Sequence, residues 1–437
     1  MKRGQKWTLG VAIAGAVLGA AWLAVAWWLP TDEELAARLA AEAGKRLGVK
    51  VTIGSAHWAL LPRPTVVLND IRSRQAQPVV IGQLTAHLKA RTLLDRKPVF
   101  ERIEIDGAVF PGSSMRAFRG TPDAGEPDAG EGVLLERFEF RNLTWVSHSG
   151  IAVIYDGEIE FDAHWRPRHA ELRRPGISPP FTMTLKRDGD ADRWQTRVHV
   201  GGGTAHGSVA LKSAASGALH LSGRLTPLDI EVASALNAFN RRSPVGGKGS
   251  GQTVLSADGK MVGELAESLH TRTVFSVNPA TILRVDLEKA ISTLGTEHDG
   301  QTALQELTGQ MDTQNTDKGM RVTYTGLKAR AGERTATGEA TLYHRQIEAS
   351  GTLHLVAGGI GVPFTASGPV EKPKVSVAPG AFAAATIGKA VQPGTGTGTG
   401  TGADTGIVAR IGATLSRIFK SDEQQPDATA PVAAKEN

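Results

Sequence analysis

The sequence predicts a mainly β protein behind a single membrane-spanning helix, with a few short helices among the strands. Three observations carry this. The chain of 437 residues has no charge between Lys6 and Asp32. From Val49 onward the apolar residues recur with a period of two over most of its length. Glycine is abundant, at 51 residues, while aromatics make up 5%, which suits many short strands and turns better than a thick aromatic core.

Trp7 to Leu29 gives about 23 uncharged residues, and a helix needs roughly 20 to cross the hydrocarbon core. Lys2, Arg3 and Lys6 precede it; Asp32, Glu33 and Glu34 follow. The positive-inside bias keeps such an N-terminus in the cytoplasm and sends the remainder across. Trp7, Trp27 and Trp28 stand where interfacial anchors stand. The alternative is a cleaved signal peptide, since Ala24-Val25-Ala26 fits a small-x-small site, although cleavable apolar regions usually run to about 7–15 residues.

Hydrophobic residues at 41% suffice for a folded body, and cysteine is absent, which excludes disulfides and thiolate metal sites. Of the net charge of +5, the N-terminal flank supplies three positive charges. The rest is near balance, no nucleic-acid signature occurs, and no nucleic-acid partner is expected.

After Pro30, Thr31 to Leu47 reads as a helix. Thr31 and Glu34 form a capping box, Leu35, Leu39, Ala43 and Leu47 make one stripe, and Gly48 can close the helix in the left-handed conformation. Strand alternation follows at Val51 and Ile53, around Trp58, and at Val66 and Leu68. It continues at Leu84, Ala86 and Leu88, and then at Ile103, Ile105 and Val109. Each run has one apolar and one polar face, as in an antiparallel sheet wet on one side. Pro122 to Gly132 holds two copies of Pro-Asp-Ala-Gly-Glu and reads as a flexible acidic loop.

Strands resume with Phe138 and Phe140, and with Ile159 and Phe161. The basic, proline-rich stretch from Arg166 to Pro180 reads as a loop. Trp194 to Val200, Val209 and Leu211, and Leu219, Leu221 and Leu225 give further strands. Leu228 to Phe239 and Pro279 to Leu294 show helical spacing; Gly246 to Gly259 is strand-like. Val322 and Tyr324, then Ile347 to Leu355, return to period two. The Gly-Thr tract from Gly394 is a low-complexity linker. It leads to an amphipathic helix from Ile407 to Phe419, which suits a membrane surface or the end of the sheet, and then to a disordered tail.

Catalytic constellations are not found. Asp188, Asp190 and Asp192 have the opening spacing of a calcium loop. Arg193 and His199 occupy its glycine and glutamate positions, so a hairpin turn is the better reading. Gly246 to Ser250 lacks the phosphate-loop spacing. The 12 histidines are scattered. The chain is read as a non-enzyme with no cofactor and no metal.

The order of several segments resembles the AsmA family of Gram-negative envelope proteins. One block runs from the anchor and capped helix through Gly48–Gly54, His57–Pro62 and Val66–Ile71. A second comprises Ala280–Leu287, Gly300–Thr302, Leu307–Gly309 and Val362–Pro373. Arg284 stands where that family's pattern has glycine. The resemblance covers both ends of the chain, and the middle matches in pattern only.

It implies a long twisted antiparallel β-sheet curled into an apolar groove that guides phospholipid between membranes. Alternation alone fits a sandwich equally well and, without the resemblance, favours it. With it, the expectation is a single-pass inner-membrane protein with a periplasmic body. That body would bind acyl chains and support phospholipid transport and outer-membrane biogenesis. Its partners would be phospholipid, the inner membrane, and outer-membrane or periplasmic proteins.

The candidate groove residues are Leu84, Leu88, Ile103, Ile105, Phe138, Phe140, Leu219, Leu221, Leu353 and Leu355. The rival is a non-enzymatic scaffold for outer-membrane protein assembly acting through protein contacts. The expected division is the anchor at 1–30, an N-terminal module at 31–120 and the acidic loop at 121–132. A middle groove at 133–260, a C-terminal β region at 261–380 and the linker, helix and tail at 381–437 complete it. Roughly 18 strands at about 4.8 Å each would span about 80–90 Å, which is short for crossing the periplasm unaided.

Overall fold

The computed structural model describes residues 31–59, 63–89, 99–117, 134–260, 262–316, 319–354 and 361–377. All of them fall in one compact unit. The expected anchor with Trp7, Trp27 and Trp28, the acidic loop, Leu355, the Gly-Thr tract and the terminal helix lie outside the described residues. Among the described residues no helix is long and apolar enough to cross a membrane.

The protein is mainly β, with one large sheet that curls but stays open, and a few short helices. Among the described residues the sheet has 22 strands, from β1 (Val51–Thr52) to β22 (Lys374–Val377). Pairing follows chain order almost throughout, as short turns between alternating runs require.

Three short strands share a neighbour's edge with a second strand. Thus β1 and β2 (Ser55–Ala59) both pair with β3 (Thr65–Ser73). The same holds for β12 (Leu219–Leu228) with β13 (Ile230–Glu231) along β14 (Val245–Gly259). It holds again for β16 (Gln301–Leu304) with β17 (Glu306–Thr316) along β15 (His270–Leu283). The higher strand number therefore leaves the width near the expected value of about 85 Å.

Helix α1 (Asp32–Leu47) starts where its cap predicts: the Thr31 hydroxyl accepts from the Glu34 N–H, and Gly48 adopts φ 70°. Leu35, Leu39, Ala43 and Leu47 are buried on one face, with Ala36 beside them. The Glu34 carboxylate lies 3.9 Å from Arg38.

Four expectations are corrected. The pair β5 (Val99–Pro111) and β6 (Leu134–Val146) is parallel, in an otherwise antiparallel sheet. A long connection from Gly112 to Val133 joins them, and parallel neighbours need such a crossover. Arg166 to Pro180 is not all loop, because Pro167–Arg174 forms β8, paired on both sides. His169, Glu171 and Arg173 occupy the wet face, while Arg174, on the other face, donates to the Asn237 and Ala238 carbonyls, so charge there does not oppose a strand.

The helix expected over Leu228–Phe239 is only α2 (Val232–Asn237). The helix expected over Pro279–Leu294 is only α4 (Leu287–Ser292). In both places the ladder claims the first residues: Leu228 pairs with Thr204, and Ile282 lies between Val245 and Thr302. Short apolar runs carry too little period to separate strand from helix. Arg284, at φ 68°, ends β15, and Asp286 caps α4 by accepting from the Lys289 N–H at 2.9 Å.

Candidate functional site

Side chains alternate between the faces of a strand, so register decides which residues share a face. One row of directly paired residues crosses the sheet as Trp58, Val66, Ala86, Ile103, Phe138, Ile159, Ala170, Leu185, Thr196, Gly207 and Leu225. It continues as Thr253, Thr273, Met311, Tyr324, Ala340, Ala349, Ala366 and Val375. No member carries a charge.

The neighbouring row, on the opposite face, is polar nearly throughout. It includes His87, Arg102, Arg137, Glu160, His169, Lys186 and Arg224, then Arg272, Asp312, Thr323, Thr341, Glu348 and Lys374. Ion pairs lace it, Arg137 to Glu160 at 2.6 Å and Arg272 to Asp312 at 2.9 Å among them. Glu158, His169 and Glu171 bring one ligand atom each within 4.8 Å of one another on this polar face.

The apolar face is covered unevenly. At the N-terminal end one buried cluster joins α1 to the first strands. Leu84, Leu88, Ile103 and Ile105 belong to it with at most 3% exposure, and Phe140 at 8%. Phe138 is half-buried against it, its ring centroid 5.8 Å from that of Phe140. These residues pack into the core under α1, with part of the Phe138 side chain still exposed.

Leu219 packs with Trp194, Leu211, Ala257 and Leu265, the last from α3 (Val262–Glu267), and Leu221 is half-buried beside them. The segment after β13 covers the face elsewhere, where Ala235, Ala238 and Phe239 pack with Phe181, Val200 and Met183. Glu231 fixes that segment. Its carboxylate accepts from the Ala233, Ser234 and Gly247 N–H groups. Burial alone would raise its pKa, but these hydrogen bonds hold it below the usual carboxylate value.

Between these covers and β22 the face borders a cavity of about 940 Å³, near the top of the range of sites that enclose a small molecule, roughly 300–1,000 Å³. Pro227, Ile230 and Val232 line it from one side. The floor is formed by Phe275, Met311, Tyr324, Leu327, Ala340, Leu342, Ile347, Ala349, Phe364 and Ala366. At one end lies α4, with Ala290 fully buried against Val285 and Val375. Arg334, which begins β19 (Arg334–Tyr343), holds Glu288 of α4 at 2.6 Å. Of the four charged liners, Asp286, Glu288 and Arg334 gather at this end, and the fourth is Glu339 on β19.

Glycine shapes the floor. Phe275 lies between Gly251 and Gly309 in the ladder; Leu327, Gly338, Gly351 and Phe364 succeed one another across the next strands. A Cβ on Gly338 would meet the Ser350 carbonyl oxygen at 2.5 Å, and one on Gly309 would meet Leu327 Cδ2 at 2.8 Å. Glycine opposite a bulky residue lets the sheet bend towards that face.

Of the described sequence candidates, the structure brings Leu353 to the cavity wall, where it is 8% exposed and packed with Val362 and Val377. The others sit under the covers already described. Phe275, Tyr324, Ala340 and Phe364 were not among the candidates. Period two marks their neighbourhoods, but only the cross-strand partners reveal the floor they share. Compared with known proteins, the chain matches no family model, no curated protein and no solved structure.

Proposed function

We propose that the protein is an inner-membrane-anchored carrier that holds phospholipid acyl chains on the apolar face of its sheet. It thereby supports phospholipid transport between envelope membranes and outer-membrane biogenesis. The observation that carries this reading is the uncharged row from Trp58 to Val375, which is covered at its N-terminal end and borders a cavity of about 940 Å³ from Thr253 to Val375. Such a floor gains roughly 25 cal/mol per Å² when hydrocarbon replaces water on it. A chain of about a dozen methylenes would gain on the order of 10 kcal/mol before the losses of association.

The motif order resembling the AsmA family agrees with this role. The uncharged stretch 7–29 would anchor the chain, with the N-terminus cytoplasmic and the sheet in the periplasm. No catalytic step and no cofactor enters the proposal. A width of about 85 Å calls for docking on one membrane or for partner proteins of the outer membrane or periplasm.

The test is lipid extraction and mass spectrometry of the full-length protein after gentle solubilisation. Phospholipid at near one molecule or more per chain is expected. Folded protein free of lipid would remove this reading and leave the protein-contact scaffold.

A further inference from the structure

Tyr324 puts a polar atom into this largely apolar floor. It lines the cavity, flanked in the ladder by Met311 and Ala340, and its ring meets that of Phe275 edge-on at 6.2 Å. Burial pushes its phenol up to about 12, so it stays a neutral O–H donor. Among the described residues that hydroxyl has no hydrogen-bond partner. Tyr324 is half-buried and borders the cavity, so its hydroxyl is free to donate to a guest there.

Two and three strands away in the same row, the hydroxyls of Thr273 and Thr253 share one hydrogen bond of 2.9 Å, which uses only one of their two hydrogens. Donors without acceptors thus interrupt the apolar floor at one level.

We propose that Tyr324 is a specificity-determining donor for the ester carbonyl of a glycerolipid, so that the trough selects ester-linked acyl chains over ether-linked alkyl chains. An ester carbonyl accepts a hydrogen bond at the head of an acyl chain. An ether-linked chain of equal length offers the same hydrocarbon without that carbonyl. The proposal rests on the reading of the trough as a lipid site and names the class of lipid.

The test offers the full-length protein vesicles containing equal amounts of diacyl and dialkyl-ether phosphatidylcholine of matched chain length. The bound lipid is then quantified by mass spectrometry. The wild type is expected to prefer the diacyl form about three- to tenfold, the range one net hydrogen bond gives. Tyr324→Phe should bring the ratio to near one by losing diacyl binding.

Equal uptake of both lipids by the wild type overturns the proposal and leaves the lipid site standing. So does a preference that survives in Tyr324→Phe. Uptake of neither lipid by the wild type overturns the lipid site as well. The wild-type ratio decides the matter even if the variant fails to fold.

Discussion

The ring of Phe364 lies against Gly351, its direct partner on the neighbouring strand. A Cβ on that glycine would come within 2.7 Å of the ring's Cζ and 2.6 Å of the Thr337 carbonyl oxygen. The same relation recurs at Gly157, where an added Cβ would meet Phe140 Cζ at 2.5 Å. An aromatic ring folded over a glycine thus occurs twice in this sheet, at Gly157 and Gly351.

Gly351→Ala should therefore destabilise the protein by about 1–3 kcal/mol, the usual cost of overpacking. The midpoint of urea unfolding measures it. Phe364→Leu frees the side-chain contact but not the backbone one, so the double variant should lose less than the two single losses summed. An unshifted midpoint in Gly351→Ala would show that the close approach does not shape the fold.

The two ends of the apolar face should respond differently to substitution. Leu39 of α1 is fully buried in the closed N-terminal cluster, and Leu39→Ala should cost about 2–5 kcal/mol. Ala349, half-buried on the open floor, has room on one side. Ala349→Asp should abolish lipid retention with a stability change of about 1 kcal/mol or less. Thermal unfolding beside lipid quantification separates the two effects. Global unfolding of Ala349→Asp would mark that position as closed core.

Asp162 links the turn after β7 (Ala152–Phe161) to the end of β9 (Phe181–Arg187). Its carboxylate accepts from Arg187 Nη1 at 2.7 Å and from the Arg166 and His164 N–H groups at 3.0 and 2.8 Å. Burial works to raise its pKa, but these donors prevail and hold it at about 2, against an ordinary 3.8. A lowered folded-state pKa stabilises the fold above the unfolded value, and this stabilisation is lost as pH falls from about 4 towards 2.

Asp162→Asn should cost about 1–2 kcal/mol at neutral pH, and the gap to wild type should close as pH approaches 2. Unfolding midpoints measured across this range decide it. Parallel curves would mean that the carboxylate contributes nothing through its charge.

Much of this fold was legible in the sequence, for reasons that differ by element. The α1 helix announces itself through Thr31, the four-residue stripe and Gly48. Most strands follow from alternation, because a sheet wet on one face must alternate. The strand at Pro279–Leu283 was hidden, since Ile282, Val285 and Leu287 also fit a helical spacing. The strand at Pro167–Arg174 was hidden because both proline and charge suggested a loop.

The site was less legible. Leu84, Ile103 and Ile105 look the same in sequence whether a helix or a lipid covers them; only packing shows that they share the α1 cluster. The trough depends on which strands face one another. The calcium-like aspartates prove to be a hairpin turn, with Asp192 and the Asp190 carbonyl oxygen accepting from Arg166 at 3.3 Å.

The most direct measurement places a photoreactive side chain at Ala340, on the floor, and separately at Thr341, its neighbour on the polar face. Irradiation in membranes should give phospholipid adducts from position 340 and none from 341. Adducts from both in equal yield, or from neither, would mean that the apolar face does not hold lipid.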